Sequence, residues 1–162
     1  MPGERKEERM DVFYYWKKFD EDMKEGHIGW LVSDRKKMGE MRADYPDYIW
    51  AFRTPQGRKG ELQLVARLRW SDTPVVTVPR NDAQSEIYYD PAHKDSRRFI
   101  DVDTDAHIRE VSSMMRREFP GAFTAKFQGD NGLQPMRGDF LRKFRGIAET
   151  YPFLPFIEEV TT

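Results

Sequence analysis

The chain has no cysteine. It therefore forms no disulfide, carries no cysteine nucleophile and offers no thiolate to a metal. It also lacks a long uncharged apolar run: its mean hydropathy is −0.82, and a membrane-spanning helix needs about 20 mostly apolar residues. Histidine is scarce, and His27, His93 and His107 are far apart with no HExxH spacing. These absences exclude a transmembrane span and a disulfide scaffold, and they disfavour a histidine metal site.

An excess of basic charge is missing too. The chain has 27 basic and 28 acidic residues and a net charge of −1, whereas a protein that coats long stretches of phosphate usually has a basic excess. Any contact with nucleic acid must therefore come from a local patch. The N-terminus "MPGERKEERM" has no apolar segment of the kind found in signal peptides. A cytoplasmic protein with no membrane partner and no cofactor is expected.

Aromatic residues are plentiful instead. They make up 14% of the chain, against 38% for all hydrophobic residues, so aromatic rings must supply much of the apolar area that folding buries. A chain of 162 residues is long enough for one substantial core. We interpret it as a single domain over residues 11–162, preceded by a charged, disordered tail over residues 1–10.

Short runs of aromatic and β-branched residues predict strands. These runs are "DVFYYWKKF", "IGWLVS", "YIWAFRTP", "ELQLVARLRW", "PVVTVP" and "EIYYDP". The strand that begins at Glu61 alternates most regularly, which predicts one buried face and one polar outer face that carries Arg67 and Arg69. The buried face is expected to hold Leu62, Leu64, Ala66, Leu68 and Trp70.

Helical spacing occurs in other parts of the chain. Apolar residues three and four apart predict a helix from Thr104 to Phe119, with Thr104 as its N-cap. A second helix is predicted over residues 138–150, and a short one near Ser33. The segment "PGAFTAKFQGDNGLQPMRGD" is expected to form short strands and turns. The fold class is therefore α+β: a small curled sheet or β-barrel of about five to seven short strands with flanking helices.

Three segments in the first half of the chain occur in an order that resembles the PUA-like superfamily, in particular its EVE and YTH branches. They are "FYYWKK", "GWLVSDRKKMGEM" and "YPDYIWAFRTP". They correspond to an aromatic first strand, a tryptophan-bearing second strand with a short helix, and an aromatic third strand. The EVE pattern usually has Gly-Asp before the third strand, where this chain has Pro46 and Asp47. The resemblance covers residues 13–70, about a third of the chain.

The resemblance implies a PUA-like domain that binds nucleic acid and seats one modified base in a pocket. Trp30 and Ser33 match the pocket positions of the family's second strand. Trp16 and Lys17 match the end of its first strand, and Thr54 matches the end of its third strand.

The four tryptophans are the candidate walls of such an aromatic cage. Base flipping places a base between flat π surfaces, and stacking is worth roughly 1–3 kcal/mol per base. The alternative is that the tryptophans belong to the core, as expected for Trp70 at the end of a buried face. Trp50 is open to either role and joins the base-binding candidates, which are Trp16, Lys17, Trp30, Ser33, Trp50 and Thr54.

Basic residues supply candidate phosphate contacts. The turn "QGRKG" and the polar face of the following strand could form one patch, and "DSRRF" could form a second clamp. Such contacts position a nucleic acid without reading its sequence. The alternative is an ordinary solvated strand face. The phosphate-binding candidates are Arg35, Arg53, Arg58, Lys59, Arg97 and Arg98.

The leading hypothesis is a nucleic-acid-binding module that reads a modified base of DNA or RNA. It could be the recognition domain of a modification-dependent restriction or defence system, with an effector nuclease as its protein partner. A catalytic role is less favoured, since the chain has no Gly-x-Ser-x-Gly elbow.

Two alternatives stay open. One is a small PUA-like hydrolase of the ASCH type, a resemblance that would assign Lys17 or Lys18, Thr54 and Glu61 as candidate catalytic residues. The other is a protein-interaction domain that docks onto a partner through the apolar tail "YPFLPFIEE".

Overall fold

The computed structural model describes residues 9–32, 38–78 and 86–157. Within these ranges the chain is α+β, with one mixed eight-stranded sheet that curls into a half-barrel and helices packed against it. The strands are β1 Met10–Tyr15, β2 Trp30–Val32, β3 Tyr48–Arg53, β4 Gln63–Ser71, β5 Glu86–Asp90, β6 Arg97–Phe99, β7 Leu133–Arg137 and β8 Phe153–Pro155. The helices are α1 Phe19–Glu25, α2 Met38–Ala43, α3 Asp105–Glu118, α4 Pro120–Thr124 and α5 Gly138–Ala148, with a 3₁₀ turn at Gly129–Gly132.

The sheet branches at β4. Its main path runs β2-β5-β4-β3-β1-β7, and β6 pairs with the middle of β4 while β8 pairs with β6. β1 and β3 are parallel, and the other pairs are antiparallel. β4 can have two neighbours on the same side because it is nine residues long, so β5 and β6 each use a different part of it.

Each face of the sheet carries its own core. The helix-side core lies under α3, α4 and α5 and includes Phe13, Trp50, Phe52, Val111 and Phe144. The opposite core includes Val12, Trp16, Leu68, Tyr89 and Phe156. Neighbouring residues of one strand point to opposite faces, which is why adjacent residues of β1 enter different cores.

A β-bulge in β4 reverses the side to which the strand's residues point. Phe52 pairs with Leu64, whereas its neighbour Ala51 pairs with Ala66, so that Val65 is the extra residue. The predicted single buried face is therefore wrong, because the bulge interrupts the alternation. Leu62 and Leu64 lie in the helix-side core, and Ala66, Leu68 and Trp70 lie in the opposite core.

The predicted polar outer face of β4 is also wrong. Gln63, Val65 and Arg67 are only 0%, 2% and 5% exposed, because both sides of this strand are covered. After the bulge, Arg67 and Arg69 lie on the same side of the sheet as the helices.

The main helices agree with the sequence pattern. The predicted helices at Thr104 and at residues 138–150 are confirmed as α3 and α5. The Thr104 hydroxyl accepts the His107 N–H at 3.2 Å as the expected cap. Two other predictions are wrong. Pro120 starts a short helix where strand and turn were expected, since proline is well suited to the first helical turn. Residues 74–78 of "PVVTVP" form no strand.

The two ends of the described chain are built into the sheet. Met10 is 2% exposed and pairs with Arg137, so the first strand begins inside the expected 1–10 tail. The C-terminal tail forms β8 on its own sheet and buries Phe156 in the opposite core. Phe153 and Leu154 of the same segment are 44% and 40% exposed, so the docking role of the tail stays a prediction. None of the described helices is long and apolar enough to cross a membrane.

Candidate nucleic-acid interface

Two of the predicted base-binding tryptophans lie in the hydrophobic cores. Trp16 and Trp50 are each 1% exposed, and they belong to cores on opposite faces of the sheet. The Trp16 indole N–H donates to Asp22 at 2.7 Å, and that of Trp50 donates to Asp11 at 2.6 Å. Each ring is buried in its core and its indole N–H is already hydrogen-bonded, so neither ring is available to stack on a base. Because the two rings lie on opposite faces of the sheet, they do not form two walls of one pocket.

The other base-binding candidates are scattered. Trp30 is partly exposed on β2, with its ring 5.9 Å from that of His27. Lys17 is exposed in the turn after β1, and the Thr54 hydroxyl accepts the Tyr15 O–H at 2.8 Å. Ser33, like the phosphate-binding candidate Arg35, lies outside the described residues.

The predicted patch at the β3–β4 hairpin is neutralised by carboxylates. Arg53 forms an ion pair with Asp20, and Arg58 forms ion pairs with Glu61 at 3.0 Å and with Asp105 at 2.9 Å. Glu61, a candidate of the hydrolase alternative, is thus bound to an arginine. Lys59 is the exposed cation of this hairpin turn.

The two arginines of "DSRRF" lie on opposite faces of β6. Arg98 pairs with Ala66, whose side chain is in the opposite core, while Arg97 pairs with Arg67. Residues directly across from each other on antiparallel strands point to the same face. Arg97 therefore meets Arg67 on the helix side, and Arg98 stands apart from both.

Arg67 and Arg97, here named the arginine pair, bring two positive charges together. Their side chains are only 6% and 15% exposed. Burial lowers the pKa of Arg67, and the charge of Arg97 lowers it further. Like charges directly opposite on neighbouring strands are destabilising, so an anion beside the pair is favourable. The Nε of Arg67 also donates to the Asp95 carbonyl at 2.9 Å.

That anion is Glu149, at the C-terminal end of α5. Its carboxylate lies 3.2 Å from Arg67 and 3.6 Å from Arg97, and its side chain is 59% exposed. The Nε of Arg97 is buried and has no hydrogen-bond partner among the described residues. The guanidinium of Arg97 lies 3.8 Å from the ring centre of Phe153, which is 44% exposed. An exposed carboxylate, an unpaired donor and an exposed aromatic ring thus meet at one place.

Tyr48 extends this site on β3. Its ring lies under three guanidinium groups, at 4.5 Å from Arg67, 5.5 Å from Arg69 and 5.4 Å from Arg145. The Tyr48 hydroxyl donates to Asp95 at 3.1 Å. Cation–π contacts of this kind are worth about 0.5–2 kcal/mol each, so Tyr48 holds the arginines in fixed positions.

A buried carboxylate holds Arg145, one of the three arginines that contact the Tyr48 ring. Asp11 is 0% exposed and accepts two hydrogen bonds from Arg145, at 2.9 Å and 2.5 Å. It also accepts the Trp50 indole N–H. Burial raises the pKa of Asp11, and the hydrogen bonds from Arg145 and Trp50 oppose that rise. Arg145 is therefore a structural cation, in contrast to Arg97.

Comparisons of the chain with family models, with curated proteins and with solved structures find no match. The resemblance to the PUA-like superfamily stays a prediction, and the function must be argued from the side chains. In the described ranges, no three histidine or acidic side chains are grouped as a metal site would require.

The sequence reasoning missed four residues of this site. Tyr48, Arg145, Glu149 and Phe153 come from β3, α5 and β8, and none of them is part of a recognisable motif. Of the residues of this site, Arg67 and Arg97 carried a sequence signal, in the segments "ARLRW" and "SRRF". The cross-strand register that joins those two segments is a property of the folded sheet.

Proposed function

We propose that this domain binds nucleic acid and that the arginine pair holds a backbone phosphate. The observation that carries the proposal is the cross-strand contact of Arg67 with Arg97, joined by the exposed carboxylate of Glu149. A phosphate oxygen can replace that carboxylate, since arginine binds carboxylates and phosphates with the same fork of N–H donors.

The unpaired Nε of Arg97 supports this assignment. A buried donor without a partner is costly, about 1–3 kcal/mol, so the Arg97 side chain gains from a rearrangement that gives its Nε an acceptor. A phosphate that replaces Glu149 keeps one negative charge between the two guanidinium groups, and a turn of the Arg97 side chain would bring the buried Nε to an acceptor.

Phe153 supports nucleic acid over a free phosphate ion. Nucleic-acid-binding proteins combine basic groups with aromatic rings on which bases stack, and Phe153 lies beside Arg97 with 44% of its surface exposed. A net charge of −1 fits a site that contacts few phosphates. Recognition of a modified base beside Trp30 stays a prediction of the PUA-like resemblance.

The test compares two neighbouring arginines. Arg97→Ala and Arg98→Ala each remove one positive charge from β6, on opposite faces of the sheet. Loss of charged hydrogen bonds worth about 1.5–3 kcal/mol should weaken binding of Arg97→Ala to a fluorescently labelled single-stranded oligonucleotide by roughly 10- to 100-fold. The slope of log affinity against log salt concentration should become shallower by about one unit, which corresponds to the loss of one phosphate contact. Arg98→Ala should bind like the parent protein.

Fluorescence anisotropy at two salt concentrations, with single- and double-stranded probes, measures these effects. Arg97→Lys keeps the charge and loses the fork, so it should fall between the parent and Arg97→Ala. Equal loss in the Arg97→Ala and Arg98→Ala proteins, or no binding by the parent to any probe, would overturn the proposal. Circular dichroism of each variant confirms that it is folded.

Glu149→Gln tests the same site with a substitution that is expected to strengthen binding. The substitution removes the competing carboxylate and leaves the arginine pair without its anion, so affinity for the oligonucleotide should rise severalfold. Glu118→Gln on α3 is the matched control, because it makes the same change of charge at an exposed position. A rise of equal size in both variants would show a general charge effect and no competition at the arginine pair.

A further inference from the structure

A second group of positive charges lies where the β3–β4 hairpin turn meets the C-terminal end of α3. Arg116 of α3 donates to the Gly60 carbonyl of the hairpin at 2.8 Å, and its guanidinium lies 4.8 Å from the ring centre of Phe123 in α4. Lys59 directly precedes Gly60, and the Lys126 N–H donates to the Phe123 carbonyl at 3.1 Å. We name Lys59, Arg116, Phe123 and Lys126 the Arg116 surface.

Arg116 is held in place without being neutralised. The groups that fix its guanidinium are a carbonyl and an aromatic ring, and neither carries a negative charge. By contrast, Arg109 on the same helix forms an ion pair with Asp105 at 2.9 Å. No carboxylate of the described ranges forms an ion pair with Arg116, which is exposed. An arginine has five N–H donors in a planar fork, so most of this fork is left for an anion.

The two lysines of the Arg116 surface add to its charge. Lys59 and Lys126 are exposed, and neither forms an ion pair with a described carboxylate. Glu61 beside the hairpin turn is already paired with Arg58. The Arg116 surface thus brings together cations from three parts of the chain without a carboxylate bound to any of them.

The backbone at Lys126 has a conformation that is unusual for lysine. Lys126 and Phe127 have φ values of +54° and +59°, in the left-handed region that glycine adopts without penalty. Phe127 has a packing reason, since its ring is 5% exposed and stacks on that of Tyr15 at 4.6 Å. The exposed side chain of Lys126 has no such reason. Strained residues cluster at functional sites, which favours a role for the charge of Lys126.

The helix dipole accounts for only part of this arrangement. Arg116 and Arg117 lie in the last turn of α3, where positive charges offset the dipole of a helix. The dipole does not explain why Arg116 is held against Gly60 and Phe123. It also does not explain the two lysines, which lie outside α3.

We propose that the Arg116 surface binds the sugar-phosphate backbone of a nucleic acid, as a second contact in addition to the arginine pair. Cations from three parts of the chain suit a ligand with several negative charges in a row, which a nucleic-acid backbone provides. Such a contact positions the strand without reading its sequence. The inference rests on the proposed function for the identity of the ligand, and it uses none of the residues of the arginine pair.

The two contacts lie at different places along α3. The ring of His107, near the start of α3, lies 4.7 Å from that of Tyr151, which belongs to the same segment as Glu149 and Phe153 of the first contact. Arg116 follows about 13 Å further along the helix, at 1.5 Å per residue. A strand that reaches both contacts must therefore be several nucleotides long.

The experiment measures binding of a labelled oligonucleotide of about 20 nucleotides, which spans roughly 70 Å as a duplex, by fluorescence anisotropy in single- and double-stranded form. Arg116→Ala should weaken binding roughly 3- to 10-fold. The slope of log affinity against log salt concentration should become shallower by about one unit. Arg109→Ala is the matched control, because it makes the same change of charge on the same helix at a side chain that already has a carboxylate partner. It should bind like the parent protein.

Lys126→Gly separates binding from folding. Glycine relieves the left-handed backbone, so the melting temperature should rise by about 2 °C or more. Loss of the charge should weaken binding roughly 3-fold. A purely structural lysine would not combine higher stability with lower affinity, so a rise in stability with unchanged affinity would contradict the proposal.

Three further outcomes decide between this inference and its alternatives. Parent-like binding by Arg116→Ala, while Arg97→Ala still weakens binding, would overturn the inference and leave the proposed function in place. Failure of the parent protein to bind any oligonucleotide would overturn the proposed function and the second contact with it. Binding of polyglutamate that Arg116→Ala abolishes, with oligonucleotide affinity unchanged, would assign the surface to an acidic protein and refute the nucleic-acid contact.

Discussion

The arginines of this site differ in their partners, and the partners determine their roles. Arg145 donates two hydrogen bonds to the buried Asp11 and a third to Asp47, so it has few donors left for a ligand. Arg97 has a weak ion pair at 3.6 Å and an unpaired Nε. The amino-acid sequence alone does not distinguish the roles of these two arginines. The distinction depends on Asp11, a lone acid in the apolar segment "MDVFYYW" that gave no sign of being buried.

His107 gives a prediction at the scale of one residue. Its pKa in the folded protein is lowered by burial, below the value of about 6.5 for an unfolded chain. The stabilising contribution is therefore complete above about pH 6.5 and declines as the pH falls, because the unfolded chain takes up a proton that the folded protein resists. Urea unfolding at pH 5, 6 and 7.5 should show this loss.

His107→Gln isolates the effect. The glutamine oxygen can still accept the Leu64 N–H, and the side chain does not titrate, so the stability of this variant should depend less on pH between about 5 and 7. His27→Gln, at a side chain that is 46% exposed, is the control and should retain the dependence of the parent protein. Identical pH profiles for the parent and His107→Gln would contradict the prediction.

At the scale of elements, helices could be predicted and the bulge could not. α3 has both a periodic apolar face and the Thr104 cap, two independent local signals that agree. β4 shows perfect alternation in its sequence, yet the bulge at Val65 divides its residues between two cores. The alternation was misleading because both faces of the strand are buried. It is this bulge that places Arg67 on the helix side of the sheet.

The turn between α1 and β2 gives a prediction about two glycines. Gly26 and Gly29 have φ values of +75° and +109°, a region that costs other residues about 1–2 kcal/mol. A Cβ at Gly26 meets open space, whereas one at Gly29 runs into the Val76 side chain. Gly29→Ala should therefore reduce the free energy of unfolding by roughly 1–3 kcal/mol more than Gly26→Ala. Chemical denaturation measures the difference, and equal losses would show that Val76 moves away freely.

At the scale of the whole molecule, the described chain forms two cores that share one sheet, and the coarse class could be predicted from strand and helix patterns. The site could not, because it is assembled from β3, β4, β6, α5 and β8. Arg67 and Glu149 are separated by 82 positions, and no local pattern specifies which distant strands pair. The tryptophans were the strongest sequence signal. Two of them, Trp16 and Trp50, are core residues at 1% exposure.

The C-terminal strand gives a prediction about the fold as a unit. Phe156 is 2% exposed and lies 5.6 Å from Tyr89 and 6.3 Å from Trp16 between ring centres. Phe156→Ala should lower the free energy of unfolding by about 3–5 kcal/mol. Leu154→Ala, two residues away at 40% exposure, should change it by about 0.5 kcal/mol or less. A small effect of Phe156→Ala in thermal or urea unfolding would show that the tail is dispensable.

The position of β1 has a consequence for synthesis on the ribosome. Of the described strands, β1 is made before the others, and it lies between β3 and β7. One of its edges therefore stays open until Leu133–Arg137 has been translated. An unpaired edge next to apolar side chains invites association with other chains. Nascent chains that stall before β7 should therefore be the species that need chaperones most, because β1 gains its second neighbour only after β7 has been made.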